Sequence, residues 1–137
     1  MMNGQKPHHR KKRILAVDDD GLVRKSLEIL LREAGYEPTV ASGGQEALGF
    51  LPQRHFDLLI TDIRMPGMDG LQVIQAVRQY CQEMKKEPIP EIVLTAYNDE
   101  QVKQSAVRLG VQEFLLKPFK IDEFLKPKTA APAAPKK

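Results

Sequence analysis

Four short apolar runs punctuate this chain, and each ends in a residue with chemistry. Ile14-Leu15-Ala16-Val17 leads into Asp18-Asp19-Asp20, and Leu58-Leu59-Ile60-Thr61 into Asp62. Ile92-Val93-Leu94 leads into Thr95, and Phe114-Leu115-Leu116 into Lys117. Runs this short and this apolar predict strands buried on both faces, as in a parallel sheet. The intervening segments have helical spacing. Val23, Leu27, Leu30, Leu31 and Ala34 share one face of a helix predicted from about Asp20 to Ala34, with Gly35 as its stop. Glu37 to Ala41 is a second strand, and Ser42 is expected to cap a helix reaching Leu51 before Pro52. Phe56 to Thr61 is the third strand. Pro66-Gly67 and Asp69-Gly70 mark an irregular loop, followed by a helix over Leu71 to Lys85. Glu91 to Thr95 is the fourth strand. Asn98 or Asp99 caps a helix to Leu109, stopped by Gly110, and Glu113 to Leu116 is the fifth strand. A last helix starts at Ile121 and is cut off after Lys126 by Pro127.

Five alternations of strand and helix predict an α/β domain, a parallel sheet with helices on both faces. In such open sheets ligands bind outside the carboxyl ends of the strands. Four distant segments would then deliver carboxylates, a hydroxyl and an amine to one place, a composition suited to a divalent cation and a phosphoryl group. Mg²⁺ takes oxygen ligands and keeps several waters, so two or three carboxylates plus a backbone carbonyl would fit it. Capping of the following helix needs only one of Asp18, Asp19 and Asp20; the excess acid is self-repelling, and a cation relieves it. Asp62, ionised beside a metal and an amine, suits a nucleophile. Lys117 would supply a compact positive charge and Thr95 a hydroxyl donor. Singly, each has a plainer reading, as a turn Asp, a surface Lys or a strand-end Thr; their shared placement favours the site.

Charge changes the picture when divided along the chain. The 137 residues carry a net +3, but residues 1–13 carry +5 and residues 120–137 carry +3, leaving −5 for residues 14–119. The basic residues therefore flank an acidic fold, and a folded nucleic-acid-binding face is not expected. Residues 1–12 read as a disordered basic tail, 13–126 as the folded domain, and 127–137 as an Ala/Pro/Lys-rich linker or tail. With 42% hydrophobic residues, no apolar run of membrane-spanning length and no apolar signal segment at the start, a cytoplasmic protein is expected. The single cysteine, Cys81, falls on the stripe Ile74, Val77, Cys81, Met84 and reads as a buried apolar residue. No glycine-rich phosphate loop and no dinucleotide fingerprint follows a strand.

These residues resemble the receiver domain of bacterial two-component response regulators. The likeness rests on the run from Ile14 to Asp20, on Asp57 to Gly70, on Ile92 to Ala96, and on Phe114 to Phe119, in that order and spacing. It covers about residues 13–126. The resemblance implies a doubly wound five-stranded parallel sheet of flavodoxin-like, CheY-like order 2-1-3-4-5, here with a shortened last helix. It implies Asp62 as phosphoacceptor. Asp18 and Asp19, with Asp62 and the backbone carbonyl of Arg64, would hold Mg²⁺. It implies Thr95 as the switch hydroxyl, Phe114 as the switch aromatic and Lys117 as the lysine of the site. The donor would be a sensor histidine kinase or a histidine phosphotransfer protein, and the output a downstream effector protein or an output domain. Arg64 and Tyr97, two residues beyond Asp62 and Thr95, are expected at the rim, shielding a long-lived phosphoryl group.

An alternative is a Mg²⁺-dependent phosphatase or phosphotransferase with an aspartyl nucleophile. Such enzymes need a second acid two residues after the nucleophile, and that position is Arg64. The chain is thus expected to act as a switch, catalysing only its own phosphorylation and dephosphorylation.

Overall fold

The computed structural model describes residues 10–96, 99–111 and 113–117. Among these residues five strands are present: β1 (Arg13–Val17), β2 (Glu37–Ala41), β3 (Leu58–Asp62), β4 (Glu91–Ala96) and β5 (Glu113–Lys117). Four helices alternate with them: α1 (Gly21–Glu33), α2 (Gly44–Phe50), α3 (Gly70–Glu83) and α4 (Glu100–Arg108). All strand pairings are parallel, in the order β2-β1-β3-β4-β5. That is the order the resemblance implied. The expected last helix over Ile121 to Lys126 and the basic tails, except residues 10–12, lie outside the described residues.

The strands sort their side chains by the two-residue period of the pleat. Leu15, Val17, Leu59 and Val93 face one way, into a core with Ala47, Leu51, Val73, Ile74, Val77, Cys81 and Ala106 from α2, α3, α4 and the turn after α2. Ile14, Ala16, Ile60, Ile92, Leu94 and Leu115 face the other way and meet Leu27 and Leu31 of α1. Both faces of β1 and β3 are therefore buried, which explains why their sequences are continuous apolar runs.

Helix ends follow from local chemistry. Asp20 caps α1, its carboxylate accepting from Leu22 N (2.9 Å) and Val23 N (3.4 Å). Gly35, at φ +94°, ends it in the left-handed region that glycine enters without strain. Asp69 and Gln72 form a reciprocal capping box on α3. Two expectations fail. Ser42 is not the cap of α2: Gly43 holds that position, and the Ser42 N–H and hydroxyl both donate to Glu46 Oε1, at 2.8 and 3.0 Å. Met84 leaves the α3 stripe, because the helix has ended there and the side chain is 55% exposed.

Far from the strand ends that carry the acids, Arg78 of α3 fastens three elements. Its guanidinium makes a bidentate pair with Glu91 at the start of β4 (2.8 and 2.7 Å) and donates to the carbonyl of Leu109 after α4 (2.6 Å). Neither partner adjoins Arg78 in sequence, and sequence reasoning did not anticipate this contact.

Candidate phosphoryl-switch site

Register brings the candidate residues together. Val17 pairs with Thr61, so Asp18 and Asp62, each one position further on, emerge side by side at the C-terminal edge. Asp62 pairs with Leu94, one residue before Thr95, and Ala96 pairs with Lys117. Asp18, Asp62 and Thr95 are buried, and the Lys117 side chain is three-quarters covered. Lys117 Nζ lies 2.9 Å from Asp18 Oδ2 and 3.1 Å from Asp62 Oδ2, bridging the two carboxylates.

The remaining lone pairs are unequally used. Asp62 Oδ1 accepts from Ile63 N at 2.8 Å, and Asp18 Oδ1 accepts from Asp20 N at 2.9 Å. Apart from the Lys117 amine 2.9 Å away, buried Asp18 Oδ2 has no hydrogen-bond partner among the described residues. Carboxylate oxygens of Asp18, Asp19 and Asp62 lie within 4.8 Å of one another. Three acids converging on an under-satisfied buried oxygen form a donor set that fits a hard divalent cation. Arg24 anchors the strand end by donating to the Asp18 carbonyl at 2.8 Å, a role with no signal in the sequence.

Electrostatics follow the same geometry. Burial, then the Asp18 charge, pushes Asp62 above its ordinary 3.8, and the pull of Lys117 only partly opposes this. Burial alone would lower Lys117, but the adjacent Asp18 carboxylate, and then Asp62, raise it above its ordinary value. The amine is therefore a firm cation and Asp62 a reluctant anion.

A close backbone approach shapes the loop beside the site. The Gly70 N–H donates to the Ile63 carbonyl at 2.8 Å, and a Cβ on Gly70 would run into the Asp62 carbonyl. Glycine at the start of α3 thus lets the helix sit directly against the strand that carries Asp62.

Arg64 is exposed, two residues beyond Asp62. Its guanidinium reaches across to Asp99, the residue preceding α4, with Nε and NH2 contacts of 2.7 and 3.1 Å. Tyr97, its expected companion at the rim, lies outside the described residues. Phe114 is half-buried against the α3/α4-side core, with Lys103 Nζ 5.9 Å from its ring centre.

An open parallel α/β domain with clustered acids and a bridging lysine at its C-terminal edge defines a class of phosphoryl-transfer switch folds. Residues 14–127 match the response regulator receiver domain, and the chain belongs to that family. It is 40% identical over 110 residues to the probable transcriptional regulator ycf27 of Cyanophora paradoxa, covering 80% of this chain and 43% of that protein. It is 34% identical over 112 residues to the transcriptional regulatory protein FixJ of Bradyrhizobium diazoefficiens, covering 82% and 52%. The chain thus spans about half the length of these curated relatives. Among solved structures it resembles the chemotaxis protein CheY4 of Vibrio cholerae, with a TM-score of 0.76, 33% identity, and 88% and 98% of the two chains covered. A receiver protein of Pseudomonas putida matches with a TM-score of 0.74 and 30% identity, over 85% and 94% of the two chains. The chain is thus a receiver domain, part of a signalling switch rather than an ordinary enzyme. Among the described residues, no helix is long and apolar enough to cross a membrane.

Proposed function

We propose that Asp62 accepts a phosphoryl group and that Asp18, Asp19, Thr95, Phe114 and Lys117 make this transfer possible and turn it into a surface change. The carrying observation is the Lys117 amine bridging Asp18 and Asp62 at 2.9 and 3.1 Å. In the transfer, an Asp62 carboxylate oxygen attacks phosphorus. The bond from phosphorus to the donor's imidazole nitrogen, or to the oxygen of an acyl phosphate, breaks, and its electron pair leaves with the donor. Asp18, Asp19, Asp62 and the carbonyl of Arg64 would hold Mg²⁺, which when bound supplies neutralisation of the charge on the transferring oxygens. Lys117 pairs with the product oxygens, and Thr95 donates its hydroxyl to them. Thr95 is buried on β4 and Phe114 half-buried on neighbouring β5, so a shift of the hydroxyl toward the product oxygens would be passed to the aromatic ring. Added charge thereby biases a two-state equilibrium.

The donor is a sensor histidine kinase or a histidine phosphotransfer protein, and the output is read by a downstream effector or an output domain. Residues 13–126 form the receiver, 1–12 a basic tail, and 127–137 a linker or tail, in a cytoplasmic protein. Position 64 weighs against the phosphatase reading: an exposed guanidinium stands where a general acid would be needed.

Incubation with acetyl phosphate or phosphoramidate and Mg²⁺, followed by intact mass, tests the reading. One phosphate adduct is expected, absent in Asp62→Asn and without Mg²⁺. An adduct that survives Asp62→Asn would overturn it.

A further inference from the structure

Asp99 occupies the N-cap position of α4, but the backbone N–H of Val102 in the first turn is only a minor partner of its carboxylate, whose main partner is Arg64. An Asp in that position ordinarily accepts from the backbone N–H groups of the first turn. Here both carboxylate oxygens are turned to Arg64, one to Nε and one to NH2, in the parallel fork that suits a guanidinium. The Asp99 side chain is largely covered, at 17% exposure, whereas that of Arg64 is 69% exposed. The pair bridges the β3–α3 loop to α4. Between them lies an open cleft of about 560 Å³ lined by Arg64, Met65, Pro66, Asp69, Gln101 and Val102.

Arg64 stands two residues beyond Asp62, a member of the cluster of Asp18, Asp19 and Asp62. Among the described residues, that cluster holds three carboxylates against one close amine, Lys117. A mobile guanidinium at this rim would be drawn to it, and more so once a phosphoryl group adds negative charge. The fork to Asp99 holds it elsewhere.

We propose that Asp99 is a positioning residue that tethers Arg64 to α4 and so withholds its guanidinium from the phosphoryl group at Asp62. The tether sets two quantities: how readily an anionic donor is drawn to the site, and how long the phosphoryl group survives attack by water. Phosphorylation itself competes for Arg64, so the modified state loosens the link between the β3–α3 loop and α4. This inference rests on Asp62 being the phosphoacceptor.

The test compares wild type, Asp99→Asn, Asp99→Glu, Arg64→Ala and the Arg64→Ala/Asp99→Asn double variant. Each is phosphorylated with acetyl phosphate and Mg²⁺, and the adduct is followed by intact mass. Asn is as good a helix N-cap as Asp, so a purely structural role at α4 predicts no change in Asp99→Asn. The tether predicts a half-saturating acetyl phosphate concentration lower by about fivefold and an adduct lifetime longer by about fivefold, the upper range for an exposed ion pair. The maximal phosphorylation rate should move less, and the gain in apparent affinity should shrink at high salt. Asp99→Glu should lie near wild type. In the Arg64→Ala background, which keeps the backbone carbonyl, Asp99→Asn should have no further effect. Equal affinities and lifetimes in wild type and Asp99→Asn, or an effect that persists without Arg64, would overturn the tether. Absence of any adduct on wild type would instead overturn the role of Asp62.

Discussion

Replacing Asp62 by Asn removes a charge that the fold holds against both burial and repulsion. Asp62 lies within 4.8 Å of Asp18, which at an effective dielectric near 20 is a repulsion of about 3.5 kcal/mol. Lys117 Nζ at 3.1 Å returns about 5 kcal/mol on the same scale. Desolvation of a buried carboxylate costs several kcal/mol more, and burial with repulsion together outweigh the lysine, since Asp62 is held above its ordinary 3.8. Asp62→Asn is therefore expected to stabilise the metal-free protein at neutral pH by about 1 kcal/mol, or about 3–5 °C in Tm for a chain of this size. The pH dependence has a definite sign. The folded protein keeps a proton on Asp62 that the unfolded chain gives up near 3.8. Raising the pH through the window above that value therefore costs the wild type stability, fully so above the folded value. The gap between variant and wild type should open across that window and close below it. Chelator-treated samples, melted from about pH 3 to about pH 7, measure this directly. Added Mg²⁺ should invert the order, because a cation present at a hundredfold its dissociation constant adds about 2.7 kcal/mol to the protein that binds it. An Asp62→Asn variant no more stable than wild type without metal, or a pH-independent gap, would refute the electrostatic reasoning.

Three further outcomes follow from contacts elsewhere. Arg78→Met should lower stability by about 2 kcal/mol in urea unfolding. It strands Glu91 and the Leu109 carbonyl, but the 37% exposure of Arg78 keeps the loss below that of a fully buried pair. Gly70→Ala should cost at least about 1–3 kcal/mol in thermal melts and weaken Mg²⁺-dependent stabilisation, because the new methyl displaces the backbone of Asp62 itself. Cys81, 4% exposed and with burial pushing its thiol up, should react with a disulfide reagent only at the rate of unfolding; rapid native labelling would contradict its packing.

The strands were legible because burial on both faces leaves an unmistakable run of apolar residues, and the ends of those runs marked residues of the candidate site. Helix starts were less so. Ser42 has the chemistry of a cap, but its hydroxyl is turned to Glu46 four residues on, and Gly43 takes the cap position. The Arg64–Asp99 pair left no trace in the sequence, since its members are 35 residues apart and meet only where two loops converge. The Arg78 staple, spanning 13 and 31 residues, is hidden for the same reason. Periodicity reports which face a residue occupies; it carries no information on which exposed charges meet across elements.

The bridge from Lys117 to Asp18 joins the last described strand to the first. On a ribosome, the acidic strand ends emerge long before the amine that neutralises them. A nascent chain that lacks β5 holds two neighbouring carboxylates without the amine that bridges them here. If Lys117 serves the transfer as proposed, competence to receive a signal waits on the strand that carries it. A chain interrupted before residue 117 would lack this counter-charge and the end of β5 together.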